Sequence, residues 1–120
     1  MIEIYKVTQD LVAALKRVTP NVYPIVAPQG TTLPFITYSR SGVGTDTSKD
    51  GEYDMDIYYQ LNIITQGYDG GLQLVDAVRT ALRTITSNHY RYEVTVTGSS
   101  EEAYDDGYAQ HFNFTINASR

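Results

Sequence analysis

Cysteine and tryptophan are absent from this chain of 120 residues. The first absence rules out disulfides and thiolate metal sites. Histidine is scarce, with only His89 and His111. Neither a Ser–His–Asp order nor a His-x-x-x-His spacing surrounds them, so nucleophilic and zinc chemistry are not signalled. No apolar run reaches the roughly 18 residues that a membrane span needs. The N-terminus shows no basic stretch followed by an apolar one, so no secretory signal is expected. Positive charge is thin. Lys and Arg number 9 against 14 Asp and Glu, for a net charge of −5 and a pI near 4.8. Wrapping nucleic-acid phosphates needs clustered Lys and Arg, and this balance disfavours it.

Tyrosine, by contrast, is abundant, at 11 residues beside 3 phenylalanines. It is favoured in strands and enriched at interfaces, so the excess fits either a Tyr-rich sheet or an association surface. The length suits one domain, 1–120, with a core that needs no staples.

Apolar positions Ile4, Val7, Leu11, Ala14, Leu15 and Val18 recur with helical spacing and predict a helix over 2–18, stopped by Pro20. The stretch Val22–Ser39, VYPIVAPQGTTLPFITYS, threads Pro24, Pro28 and Pro34 through apolar residues. Proline fixes its own φ and pushes its predecessor to extended geometry. The stretch therefore reads as an extended connector delivering the chain to a sheet edge, with a first strand over 33–39. Residues 40–52, RSGVGTDTSKDGE, are polar without periodicity and predict a mobile loop. Residues 53–64, YDMDIYYQLNII, alternate strictly and predict a strand with one face on the core. A turn at 66–71, with Asp69 as N-cap, leads to a second helix over about 71–86 bearing Leu72, Val75, Val78, Leu82 and Ile85. Two more alternating runs, 90–97 and 108–117, flank an acidic loop over 98–107. The expected fold is α+β in the order α-β-β-α-β-β, with two helices on one face of a mainly antiparallel four-stranded sheet.

Candidate chemistry is sparse. The glycines Gly42 and Gly44 precede a strand, whereas a phosphate loop needs a helix N-terminus behind it. Asp54 and Asp56 share one strand face, and Glu101, Glu102, Asp105 and Asp106 cluster. These could be paired acids or hard-cation ligands. Outward strand positions and a solvated tip explain them as well. Catalytic, cofactor and metal residues are accordingly expected to be none.

The first helix, the pieces Val22-Tyr23-Pro24, Ala27-Pro28 and Leu33-Pro34-Phe35-Ile36-Thr37-Tyr38, the strand YDMDIYYQLNII and the helix GLQLVDAVRTALRTI resemble a family of small phage proteins. This is the tail completion or tail terminator family of tailed phages and prophages. The resemblance runs over nearly the whole chain. It implies a non-enzymatic protein in the virion tail, assembled in the host cytoplasm. It implies a ring, usually of six copies, that caps the tail tube and joins it to the head connector. The implied partners are other copies of the chain, the tail tube protein, the head–tail connector protein, and DNA passing through the lumen without specific binding. No membrane partner is implied. Ring neighbours meet through unlike surfaces. The candidates are Arg40, Val43 and Lys49 on the long loop, Tyr58 on the open sheet face, and Glu101, Glu102, Asp105 and Asp106, whose charge would suit a lumen that lets DNA slide. Two other readings stand beside this one. One is a different minor tail or neck component. The other is a small metal-dependent enzyme using Asp54, Asp56 and the 101–106 cluster.

Overall fold

The computed structural model describes residues 2–48 and 51–120, and side chains outside 45–53. Helix α1 covers Ile4–Lys16 and α2 covers Tyr68–Arg83. Both are shorter or shifted relative to the expected ranges. The α2 N-cap is Gly67, in extended conformation, and Asp69 lies inside the first turn. There a carboxylate still favours the positive end of the helix dipole.

Five strands form one sheet: β1 Val22–Pro24, β2 Phe35–Ser48, β3 Gly51–Thr65, β4 Arg91–Tyr104 and β5 Gly107–Ser119. Their order is β1-β2-β3-β5-β4. The expected four-stranded sheet is thus one strand short. The missed strand, β1, pairs in parallel with β2 through Val22↔Ile36 and Pro24↔Tyr38. All other pairs are antiparallel. Pro24 sits on this edge strand, where its missing N–H breaks no ladder. The Asn21 side chain donates to the Thr32 and Pro34 carbonyls, fastening the connector on both sides of its turn.

Two polar segments read as loops are strand. Residues 40–48 extend β2, and β3 begins at Gly51, so the hairpin ladder takes up most of 40–52. Lys49, and with it the tip expected to be mobile, lies outside the described residues. Likewise 98–104 extend β4, pairing with 107–113 of β5 after a bulge between Val96 and Gly98. Only Asp105 and Asp106 remain as turn. Backbone pairing runs the length of both segments, and among their described side chains only Val43 packs against the core, so no alternation of buried residues marks them.

Both helices pack on one sheet face. Val7, Leu11, Ala14 and Leu15 of α1 and Val78, Ala81 and Leu82 of α2 are buried against Ile36, Ile57, Tyr59, Leu61, Ile63, Phe112, Phe114 and Ile116. The Tyr59 and Phe114 rings stack at 5.5 Å, and the Tyr59 and Thr8 hydroxyls hydrogen-bond at 2.9 Å. Across α1 and β4, Tyr92 Oη donates to Asp10, and the Glu3 amide donates to Tyr90 Oη at 3.0 Å. The molecule measures 52 × 24 × 24 Å. No helix among the described residues is long and apolar enough to cross a membrane.

Candidate functional site

The helices leave the opposite sheet face open. Strand alternation dictates what lines it: Thr37, Asn62, His111 and Ser100 in one cross-strand row, and Asp56, Asn117 and Glu93 in another. The first row is hydrogen-bonded from strand to strand. Asn62 Nδ2 donates to Thr37 Oγ1 at 3.2 Å. The Asn62 amide oxygen only accepts, so His111 Nδ1 is the donor to it. His111 Nε2 lies 3.7 Å from a Glu102 carboxylate oxygen. In the second row Asn117 Nδ2 donates to Asp56 at 2.7 Å. His111, Asn113, Thr115 and Asn117 of β5, a central strand, find this face, whereas Gln110 is buried on the helix side, where its amide donates to Glu101.

Tyr58 lies over Gly42 and Gly44 on the same face. A Cβ at Gly44 would stand 3.0 Å from Tyr58 Oη, and one at Gly42 would stand 3.3 Å from its ring. The GVG run is therefore a bed for an aromatic side chain. Cross-strand contacts of this kind are the unit of sheet stabilisation.

The expected surface residues do not form one patch. Val43 is half-buried and packs against the core. Its partner in register is Ile57, on the helix-covered face, and Arg40 pairs with Tyr59 on that face. Tyr58 is on the open face and 40% exposed. Alternation also splits the acidic group. Glu101 accepts from Tyr68 Oη at 3.0 Å and from Gln110 Nε2 at 3.2 Å, which pins the start of α2 to β4 and raises the Tyr68 pKa. Glu102 faces His111 on the other side. Asp105 and Asp106 stand exposed at the β4–β5 turn. Among the described residues no three His, Cys, Asp or Glu are placed to hold a metal ion. Asp56 is engaged by Asn117.

Two further surface features carry only faint sequence signals. Ile25 and Val26, between Pro24 and Pro28, are 76% and 73% exposed. Ile25 has φ 64, a left-handed conformation that a β-branched residue rarely adopts. Its amide donates to the Tyr38 carbonyl at 2.7 Å, which holds it there. The connector walls a shallow concavity of about 270 Å³ on the open face, facing Tyr104 across Phe35, Ile64 and His111. The second feature is a groove of about 330 Å³ between α2 and the sheet edge β4. Leu82, Val94 and Val96 form its floor, and Arg79 and Arg83 form its rim. The sequence marks these arginines only as cations suited to a helix C-terminus.

The described residues thus form a small α+β protomer with one helix-covered and one open sheet face. A family model described as Tail completion protein gp17 matches residues 6–88. The chain belongs to that family, and it is a structural protein of the virion tail. The match runs from α1 through α2. A chain of a solved structure titled "Virion of native gene transfer agent (GTA) particle" extends the likeness of fold to β4 and β5. It is 16% identical with a TM-score of 0.68, over 97% of this chain and 93% of that one. A comparison with curated proteins found no match.

Proposed function

We infer that the chain is a tail terminator. Copies assemble into a ring at the end of the tail tube, stop its growth and present a surface to the head–tail connector. Membership of the tail completion family is the observation that carries this reading. The protomer is suited to it. Its sheet ends in a three-residue proline-bearing strand on one side and a fourteen-residue strand on the other. Unlike edges favour head-to-tail contacts, which close into rings. The gene transfer agent particle, whose chain shares the fold, is itself a virion assembly. The net charge of −5 suits a ring through which DNA passes without sticking. The partners are then further copies, the tube protein and the connector, and the chain's work is contact rather than catalysis.

Two measurements test the reading together. Light scattering and negative-stain imaging should find closed rings of the protein, free or at tail ends. Particles lacking the gene should carry tails of runaway length. Normal tail lengths without the gene would reassign the chain to another neck or minor tail role.

A further inference from the structure

We propose that neighbouring copies join by seating the β4–β5 turn of one, Tyr104 with Asp105 and Asp106, in the α2–β4 groove of the next, between Arg79 and Arg83. This contact rests on the ring reading and specifies which surfaces meet.

Charge and shape both point to it. The groove has an apolar floor of Leu82, Val94 and Val96 under a basic rim. Arg79 and Arg83 are one helical turn apart on α2, so their side chains emerge side by side. Neither makes an ion pair or hydrogen bond among the described residues, although the chain as a whole is acidic. The turn is the complementary object. Tyr104 is 51% exposed, and the two carboxylates follow it directly. A tyrosine ring covers an apolar floor while its hydroxyl stays at the wet rim. Arginine pairs with carboxylate in fixed forked geometry. Glu101 and Glu102 take no part, because Tyr68, Gln110 and His111 already engage them.

The contact cannot form within one chain. Groove and turn lie on the same strand, β4, with nine residue steps from Thr95 to Tyr104. At ~3.3 Å per residue that is about 30 Å of rigid ladder. A turn that cannot reach its own groove must reach another copy's. Because donor and acceptor surfaces differ, each copy offers one of each, and the chain of contacts closes only as a ring.

A charge swap tests the contact. One variant carries Arg79→Glu with Arg83→Glu; the other carries Asp105→Arg with Asp106→Arg. Each presents like charges on both surfaces and should lose assembly by roughly 100-fold in dissociation constant. Mixed one to one, they should regain it, since every turn then meets a groove of opposite sign. Raising salt from about 0.05 to 0.5 M should weaken the unmodified assembly, as the Debye length shrinks severalfold. A second arm does not depend on charge. In this cysteine-free chain, Val96→Cys on the groove floor with Tyr104→Cys on the turn should give a ladder of disulfide-linked oligomers under oxidation, and either change alone should not.

If the unmodified protein forms rings, reversed variants that also do so, without a cysteine ladder, overturn this contact and leave the ring standing. If the unmodified protein stays monomeric and tails carry no ring of it, the terminator reading fails and takes the contact with it. A turn reversal that alters DNA retention while leaving assembly intact would place the turn at the DNA passage and refute its seating in a groove.

Discussion

Replacing Gly107 with alanine should damage the protein at the end that carries the acidic turn. Gly107 opens β5 directly after Asp106. A Cβ there would stand 2.3 Å from the Thr65 carbonyl oxygen, with Thr65 C at 3.3 Å and Gln66 Cα at 3.6 Å. Contacts below 3.0 Å are essentially never seen for real Cβ atoms, so about 0.7 Å must be found by moving backbone. All three obstructing atoms are main chain, so no side chain can rotate away. Thr65 itself is buried, and its hydroxyl donates to the Gly67 carbonyl at the entry to α2. Forced displacement in a packed site costs about 1–3 kcal/mol. For a domain of this size that is a fall in Tm of roughly 4–12 °C. Gly70→Ala supplies the contrast. Gly70 lies in the first turns of α2 with nothing within 4 Å of a built Cβ. Alanine there should stabilise by about 0.5–1 kcal/mol through helix propensity. Thermal and urea unfolding of both variants decide the matter. A Gly107→Ala protein as stable as the unmodified one would show that the turn is not packed against the end of β3 in this way.

Three further outcomes follow from the same geometry. Burial, then the hydrogen bond to Asp10, pushes the Tyr92 hydroxyl well above its ordinary pKa. The folded state therefore keeps this proton where the unfolded chain, with a tyrosine pKa near ~10, gives it up. Its contribution is complete below about pH 10 and is lost as pH rises beyond. Urea unfolding between pH 8 and 11 should show stability falling at the alkaline end, and less steeply in Tyr92→Phe. Tyr59→Phe removes the hydroxyl that meets Thr8 and should cost about 1 kcal/mol in urea unfolding, with the stacked ring on Phe114 retained. Leu11→Ala empties a fully buried position of α1 and should cost about 2–5 kcal/mol; a loss under 1 kcal/mol would mean that α1 is not clamped to the sheet.

The sequence disclosed what burial writes into it. Val7, Leu11 and Leu15, or Met55 through Ile63, carry the period of the element they belong to because one side of each faces the core. Pro34 marked a strand beginning, directly before β2, and Pro24 sits on the edge strand itself, where a missing donor breaks no ladder. Where no face is buried, no period is written. Residues 40–48 and 98–104 are strand by backbone pairing and look like loops in a one-dimensional text. The three residues of β1 are too few to show alternation at all. Surface chemistry was still less legible. Strand alternation, invisible until register is known, sends Glu101 and Glu102 to opposite sides. The groove beneath Arg79 and Arg83 depends on where α2 lies against β4, which is a tertiary fact.

The margins of the sheet bear on how such a unit can end growth without starting its own. An unsatisfied row of amides and carbonyls invites another strand, and the invitation repeats indefinitely when both margins accept it. Here one margin starts with the three residues of β1, which closes with Pro24, and continues along β2 beyond Tyr38, the last residue that β1 pairs. The other is studded with Glu93, Glu101 and Glu102, whose carboxylates repel a second margin of the same kind. Zippering one molecule's ladder onto another's is thus disfavoured along β1 and along β4, which leaves the length of β2 past Tyr38 as the stretch of margin where main chain could still add.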